Sequence, residues 1–164
     1  MYKNILYPTD GSDGAAVAMD TVQNLAETYE STVHVLNVVD TRYEGLGSDP
    51  HRKQKPGMVG DPDGGTGGMG GDRTTMKEAR DQVRQHGERI VTTAMDRMST
   101  VDTVSAIESG NPHEVILDYT DENDIDMVVM GTHGRTGVDR YLIGSVTEKV
   151  VRLAEVPVVS VRED

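Results

Sequence analysis

Five short apolar runs alternate with four stretches of helical periodicity along these 164 residues, and few folds accept that order. Strands are expected near 3–8, 32–39, 101–108, 125–131 and 156–162, with helices near 13–29, 76–98, 112–123 and 145–154. A strand that returns to its sheet through a helix pairs in parallel, so the expectation is a single α/β domain. It should hold an open five-stranded parallel sheet with helices on both faces. The chain is long enough to bury one sizeable core.

The inward faces can be named. Ala15, Ala18, Met19, Val22, Leu25, Ala26 and Tyr29 form one stripe. Met76, Ala79, Val83, Ile90, Ala94 and Met98 form a second, behind Thr75-x-x-Glu78, which reads as a capping box. Asn111-Pro112 reads as a cap followed by proline in the first turn of the third helix. Val146, Val150, Leu153 and Ala154 form the stripe of the last.

Gly131-Thr132-His133-Gly134, nine further residues, then Gly144-Ser145 join the run at 125–130 to that last helix. Glycines at a strand-to-helix turn let backbone approach a ligand, since no Cβ intervenes. A helix beginning near Ser145 offers unpaired N–H groups and the positive end of its dipole to an anion. A phosphate cradle for a nucleotide is one reading. The other is local: Ser145-Val146-Thr147-Glu148 fits a capping box, and Gly134 and Gly137 serve as plain turn residues.

The first apolar run, Ile5-Leu6-Tyr7, ends in Pro8-Thr9-Asp10-Gly11-Ser12. Ligands of open parallel sheets bind beyond the carboxyl ends of strands, where the winding direction reverses. If the first and fourth strands are neighbours, Asp10 and Gly131 face one crevice. Asp10 then suits a ribose hydroxyl or a metal ion on the phosphates; equally, Asp10 or Ser12 caps the first helix.

At these residues the chain resembles the universal stress protein family, in its ATP-binding branch. The resemblance rests on Ile5-Leu6-Tyr7-Pro8-Thr9-Asp10, on Val35-Leu36-Asn37-Val38-Val39-Asp40, on Gly131-x-x-Gly134-x9-Gly144-Ser145 and on Val156-Pro157-Val158-Val159. It covers nearly everything outside 41–75. It implies a Rossmann-like sheet of strand order 3-2-1-4-5 and a homodimer through the last strand. It also implies binding of ATP, ADP or AMP, with or without magnesium. Pro8, Thr9 and Asp10 would line the ribose, and the Val38 backbone would meet the adenine. Gly131, Thr132, His133, Gly134, Arg135, Thr136 and Gly137 would hold the phosphates together with Gly144, Ser145, Val146 and Thr147. Asn37 departs from the family, which often has histidine there.

Residues 41–75 break the periodic pattern and read as a Gly-rich insertion. A literal G-x-G-x-x-G at Gly65, Gly67 and Gly70 lacks both the preceding strand and the following helix of a dinucleotide fingerprint. The basic run His51, Arg52, Lys53 and Lys55 is either a solvated loop or a lid over phosphates.

The formal charge of -12, from 28 acidic against 16 basic residues, repels nucleic acid and anionic membranes, so neither is an expected partner. Such a surface suits a salt-rich cytoplasm or an ordinary acidic cytosolic protein. Absence of cysteine excludes thiolate chemistry and agrees with a reducing, cytoplasmic setting. The opening apolar run reads as a core strand and not as a signal peptide, and no run reaches membrane-spanning length. The five histidines lack metal-ligand spacing. Asp118, Asp121, Glu122, Asp124 and Asp126 lack the glycine and closing glutamate of a calcium loop. No P-loop is present.

Two function classes follow: a nucleotide-dependent switch in stress, or a slow ATPase or nucleotidyl-transfer enzyme on the same fold. A chaperone-like interaction protein is a third. No catalytic residue is nominated.

Overall fold

A computed structural model describes residues 1–41, 72–132 and 143–162, with the side chains of 72–76 left aside. The elements are β1 (Asn4–Pro8), α1 (Asp13–Ala16), α2 (Met19–Tyr29), β2 (Thr32–Asp40) and α3 (Asp72–Arg97). They continue as β3 (Thr103–Gly110), α4 (Pro112–Glu122), β4 (Met127–Gly131), α5 (Ser145–Leu153) and β5 (Val158–Val161). The five strands form one parallel sheet in the order β3-β2-β1-β4-β5, as the resemblance implied.

Alternation of side chains along the buried strands supplies two cores. Ile5 and Tyr7 of β1, with Val33 and Val35 of β2, pack against Met19 and Val22 of α2 and Val91, Ala94 and Met98 of α3. On the opposite face Leu6, Leu36 and Val128 meet Ile116 and Tyr119 of α4 and Val150 of α5. Helices on both faces explain why β4 is buried at every position.

Several local expectations are corrected. The helix expected over 13–29 is two pieces. Ala18 N–H bonds the Ala15 carbonyl at 3.2 Å, an i to i−3 contact, and the buried Tyr7 hydroxyl donates to the same carbonyl at 2.9 Å. That shared acceptor tightens the turn and separates α1 from α2. Tyr29 is not interior; it lies exposed, its ring edge-on to Tyr2 at 5.1 Å.

α3 starts at Asp72, so Thr75 stands inside the helix and the expected capping box is not its start; residues 72–75 also leave the insertion. Ala79 and Val83 of the expected stripe are exposed, because α3 first meets the sheet at the buried Gly87. Asn111 occupies the N-cap of α4 without a side-chain capping bond. Leu153 is exposed, and only Val150 of the α5 stripe is fully buried. The insertion between 42 and 71, with its basic run and its G-x-G-x-x-G, lies outside the described residues.

Candidate functional site

The strand order makes β1 and β4 the central neighbours, and winding reverses between them. The carboxyl end of β1 therefore delivers Pro8, Thr9 and Asp10 beside Gly131 and Thr132 of the β4 end. Val38 lies on the adjoining β2, half-buried and packed against the α4–α5 core.

The Thr9–Ser12 turn is held by a chain of hydrogen bonds. Thr9 N–H donates to the Leu36 carbonyl at 2.8 Å, and its own carbonyl accepts from Asn37 Nδ2 at 2.8 Å. Thr9 Oγ1 accepts from Gly11 N–H at 3.2 Å. Asp10 Oδ1 accepts from both Ser12 N–H (3.0 Å) and Ser12 Oγ (2.5 Å). Ser12 Oγ accepts from Ala15 N–H at 3.2 Å. Of the two capping candidates, Ser12 is the cap, and Asp10 orients it from behind. Gly11 holds φ +75°, where an L side chain is strained, and the place of its missing Cβ lies 2.9 Å from Ile90 Cγ1 of α3.

Across the crevice Gly131 serves packing first. A Cβ built there would stand 1.9 Å from the Gly14 carbonyl oxygen and 3.2 Å from Ala15 Cα, so the absence of a side chain lets α1 lie directly on β4. The buried Thr132 donates its N–H to the Val161 carbonyl at 2.9 Å and accepts from Gly144 N–H at 2.7 Å. That second bond brings the start of α5 back to the end of β4.

Gly144 is the N-cap, with φ −58° and ψ 150°, backbone angles open to any residue. The expected Ser145–Glu148 capping box does not form: the N-cap is Gly144, which makes no side-chain cap bond, and Glu148 instead meets Arg152 at 3.2 Å. The N–H groups of Ser145, Val146 and Thr147 thus have no acceptor within the helix and carry its positive dipole end. Ser145 is exposed. Thr147 Oγ1 is buried and gives its proton to the Gly131 carbonyl at 2.9 Å, so its backbone, not its hydroxyl, is what it can donate outward. His133, Gly134, Arg135, Thr136 and Gly137 lie outside the described residues.

Sequence reading missed two supports of this site. Asn37 is 5 % exposed between the apolar Leu36 and Val38 of β2, and a buried amide in that company is the signal that could have found it. Gly87 of α3 makes room for it, since a Cβ would stand 2.6 Å from Asn37 Oδ1. Tyr7, whose hydroxyl is pushed above its ordinary pKa by burial, is a neutral donor to α1.

The sequence pattern of the universal stress protein family matches residues 1–162. The chain belongs to this family. Universal stress protein MJ0531 of Methanocaldococcus jannaschii is 27% identical over 164 residues, covering 99% of this chain and 84% of that protein. The solved structure of MJ0577 from the same organism superposes with a TM-score of 0.78 at 25% identity, over 100% of this chain and 98% of the other. A universal stress protein family member from Arabidopsis thaliana, solved with AMP bound, shares the fold at a TM-score of 0.63 and 15% identity, covering 99% and 92%.

Among the described residues, no group of three or more His, Asp or Glu could hold a metal ion, and no helix is long and apolar enough to cross a membrane.

Proposed function

We propose that this universal stress protein binds an adenine nucleotide at the carboxyl ends of β1 and β4 and acts as a nucleotide-dependent switch. The observation that carries the reading is the start of α5. Its first-turn N–H groups at Ser145–Thr147, which receive no side-chain bond from the N-cap Gly144, are tied by the Gly144–Thr132 bond to the end of β4, next to the Thr9–Asp10 turn. In this reading those N–H groups hold the phosphates, Pro8, Thr9 and Asp10 line the ribose, and the Val38 backbone meets the adenine. Backbone angles at Gly144 do not require glycine, which favours ligand approach as the reason for its presence. The AMP-bound Arabidopsis relative supports the ligand class.

Backbone N–H groups hold ground-state phosphates about as well as the transition state, so they give affinity without acceleration. The function proposed is therefore binding. Two copies paired along β5, the open edge of the sheet, form the proposed assembly, and magnesium accompanies the phosphates where it binds.

Titration calorimetry of ATP, ADP and AMP against the wild type and Gly144→Val tests the site. The expected result is binding lost in the variant with the fold intact and Tm lowered by no more than about 2–4 °C. Equal affinities would remove the assignment. Phosphate release within seconds, in a single-turnover assay with magnesium, would put the slow ATPase in place of the switch.

A further inference from the structure

The face of the sheet opposite α5 carries a groove that, Thr9 apart, the nucleotide reading does not use. It is about 340 Å³, bounded by the Thr9–Ser12 turn and the α1–α2 segment on one side and α3 on the other. Its base is apolar: Tyr7, Met19 and Ala94 belong to the core on the α2–α3 face, whereas Val150 of α5 belongs to the core on the far side. The groove and the start of α5 are thus on different faces, meeting only at the turn that carries Thr9.

Above this apolar base α3 presents His86, Arg89, Thr93 and Arg97, spaced three and four apart and so on one helical stripe. Arg84 and Arg152 each pair with a glutamate one turn away, at 3.5 and 3.2 Å. Arg89 and Arg97 have no ion-pair partner among the described residues, in a chain of charge -12. Eight residues of helix set their Cα atoms about 12 Å apart along the axis. Two guanidinium groups without an ion pair, over an apolar base and in a volume typical of ligand pockets, match a ligand with one anionic head and a slender hydrocarbon body.

We propose that this groove binds a small amphipathic anion, a medium-chain acyl carboxylate or its equivalent, with its head on Arg89 or Arg97 and its chain over Tyr7 and Met19. The site meets the nucleotide crevice only at Thr9 and stands whether or not that crevice binds ATP.

The test is calorimetry with decanoate below its micellar range, on wild type, Arg89→Gln/Arg97→Gln and Gly144→Val. The wild type should bind one decanoate per chain. Decanol, the uncharged counterpart, and the double arginine variant should each bind at least about tenfold more weakly, the loss of a charge-assisted contact. Both arginines are exposed, so the variant should keep its thermal stability. Gly144→Val should bind decanoate as the wild type does. Decanoate affinity unchanged in the double variant, or no saturable binding in the wild type, would overturn the proposal. So would decanoate binding that ATP displaces and Gly144→Val abolishes, since that ligand would sit in the nucleotide crevice.

Discussion

Replacing Gly131 by alanine should damage the fold before it touches any ligand. The new methyl carbon would stand 1.9 Å from the Gly14 carbonyl oxygen and 2.7 Å from the Gly14 carbonyl carbon, where Cβ atoms in proteins essentially never come closer than 3.0 Å. The atoms in the way are main chain, which cannot rotate aside like a flexible side chain. β4 and α1 must therefore part by about 1 Å, in an interior packed as densely as a crystal. Moving α1 also strains the Tyr7–Ala15 bond of 2.9 Å and the Ser12 cap at 3.2 Å. Overpacking costs about 1–3 kcal/mol, and a clash with backbone belongs at the upper end. At about 2–4 °C per kcal/mol for a chain of this size, 3 kcal/mol lowers Tm by roughly 6–12 °C. A melt followed by far-ultraviolet circular dichroism, with a urea titration to confirm an unchanged slope, measures it. Gly144→Val is the control: its backbone lies in a region open to any residue, and its Tm should fall by only about 2–4 °C, the ~1 kcal/mol that valine costs at an N-cap. A Gly131→Ala protein as stable as the wild type would refute the close approach of α1 to β4.

Three further outcomes are expected. Asn37→Ala removes the donor to the buried Thr9 carbonyl and should cost about 1–3 kcal/mol in urea denaturation, with weaker nucleotide binding as the turn loosens; an unchanged midpoint would show the bond to be dispensable. His34, whose Nδ1 lies 3.0 Å from the Tyr119 hydroxyl, is held below the ordinary 6.5 by burial. The unfolded chain then takes up its proton more readily, so this histidine lowers stability as pH falls from about 6.5 through its folded pKa, and no further below that. The gap in urea midpoint between pH 7.5 and 5.5 should shrink in His34→Gln, and an equal gap in both proteins would contradict the assignment. Val158, Val159 and Val161 are only half-buried on the edge strand β5, so the wild type should sediment as a dimer and Val161→Lys as a monomer; a monomeric wild type at micromolar concentration would exclude the pairing.

The fold was legible because its signals are periodic. Alternating apolar runs located all five strands to within about two residues at most ends, and the resemblance supplied their order. Errors fell where one bond overrides periodicity. Nothing in the run Ala15–Met19 announces that Tyr7, eight residues before Ala15, will take a carbonyl from the helix and break it. In α3 the apolar spacing of Ala79 and Val83 is helical, but periodicity does not say how far a helix projects past its sheet. Asn111 precedes a proline as caps do, yet its side chain makes no cap bond.

The candidate site was legible in outline for a different reason: its parts are glycines and polar residues in buried company. What a pattern cannot do is say which glycine serves the chain and which a ligand. Gly131 and Gly144 entered as one motif, and their geometry separates them. At Gly131 the missing Cβ is already filled by the carbonyl of Gly14, so the fold alone demands glycine. At Gly144 the backbone makes no such demand, and the helix behind it begins without a side-chain cap. Glycine at this N-cap gives up only a few tenths of a kcal/mol relative to serine or aspartate, so little stability is lost by leaving the place without a side chain. Thr147 sharpens the division, since its hydroxyl supports the Gly131 carbonyl while its N–H points along the uncapped end. The first glycine and this hydroxyl build the wall. The second glycine is the one proposed to leave room for a ligand, and Gly144→Val is the substitution that tells the two apart.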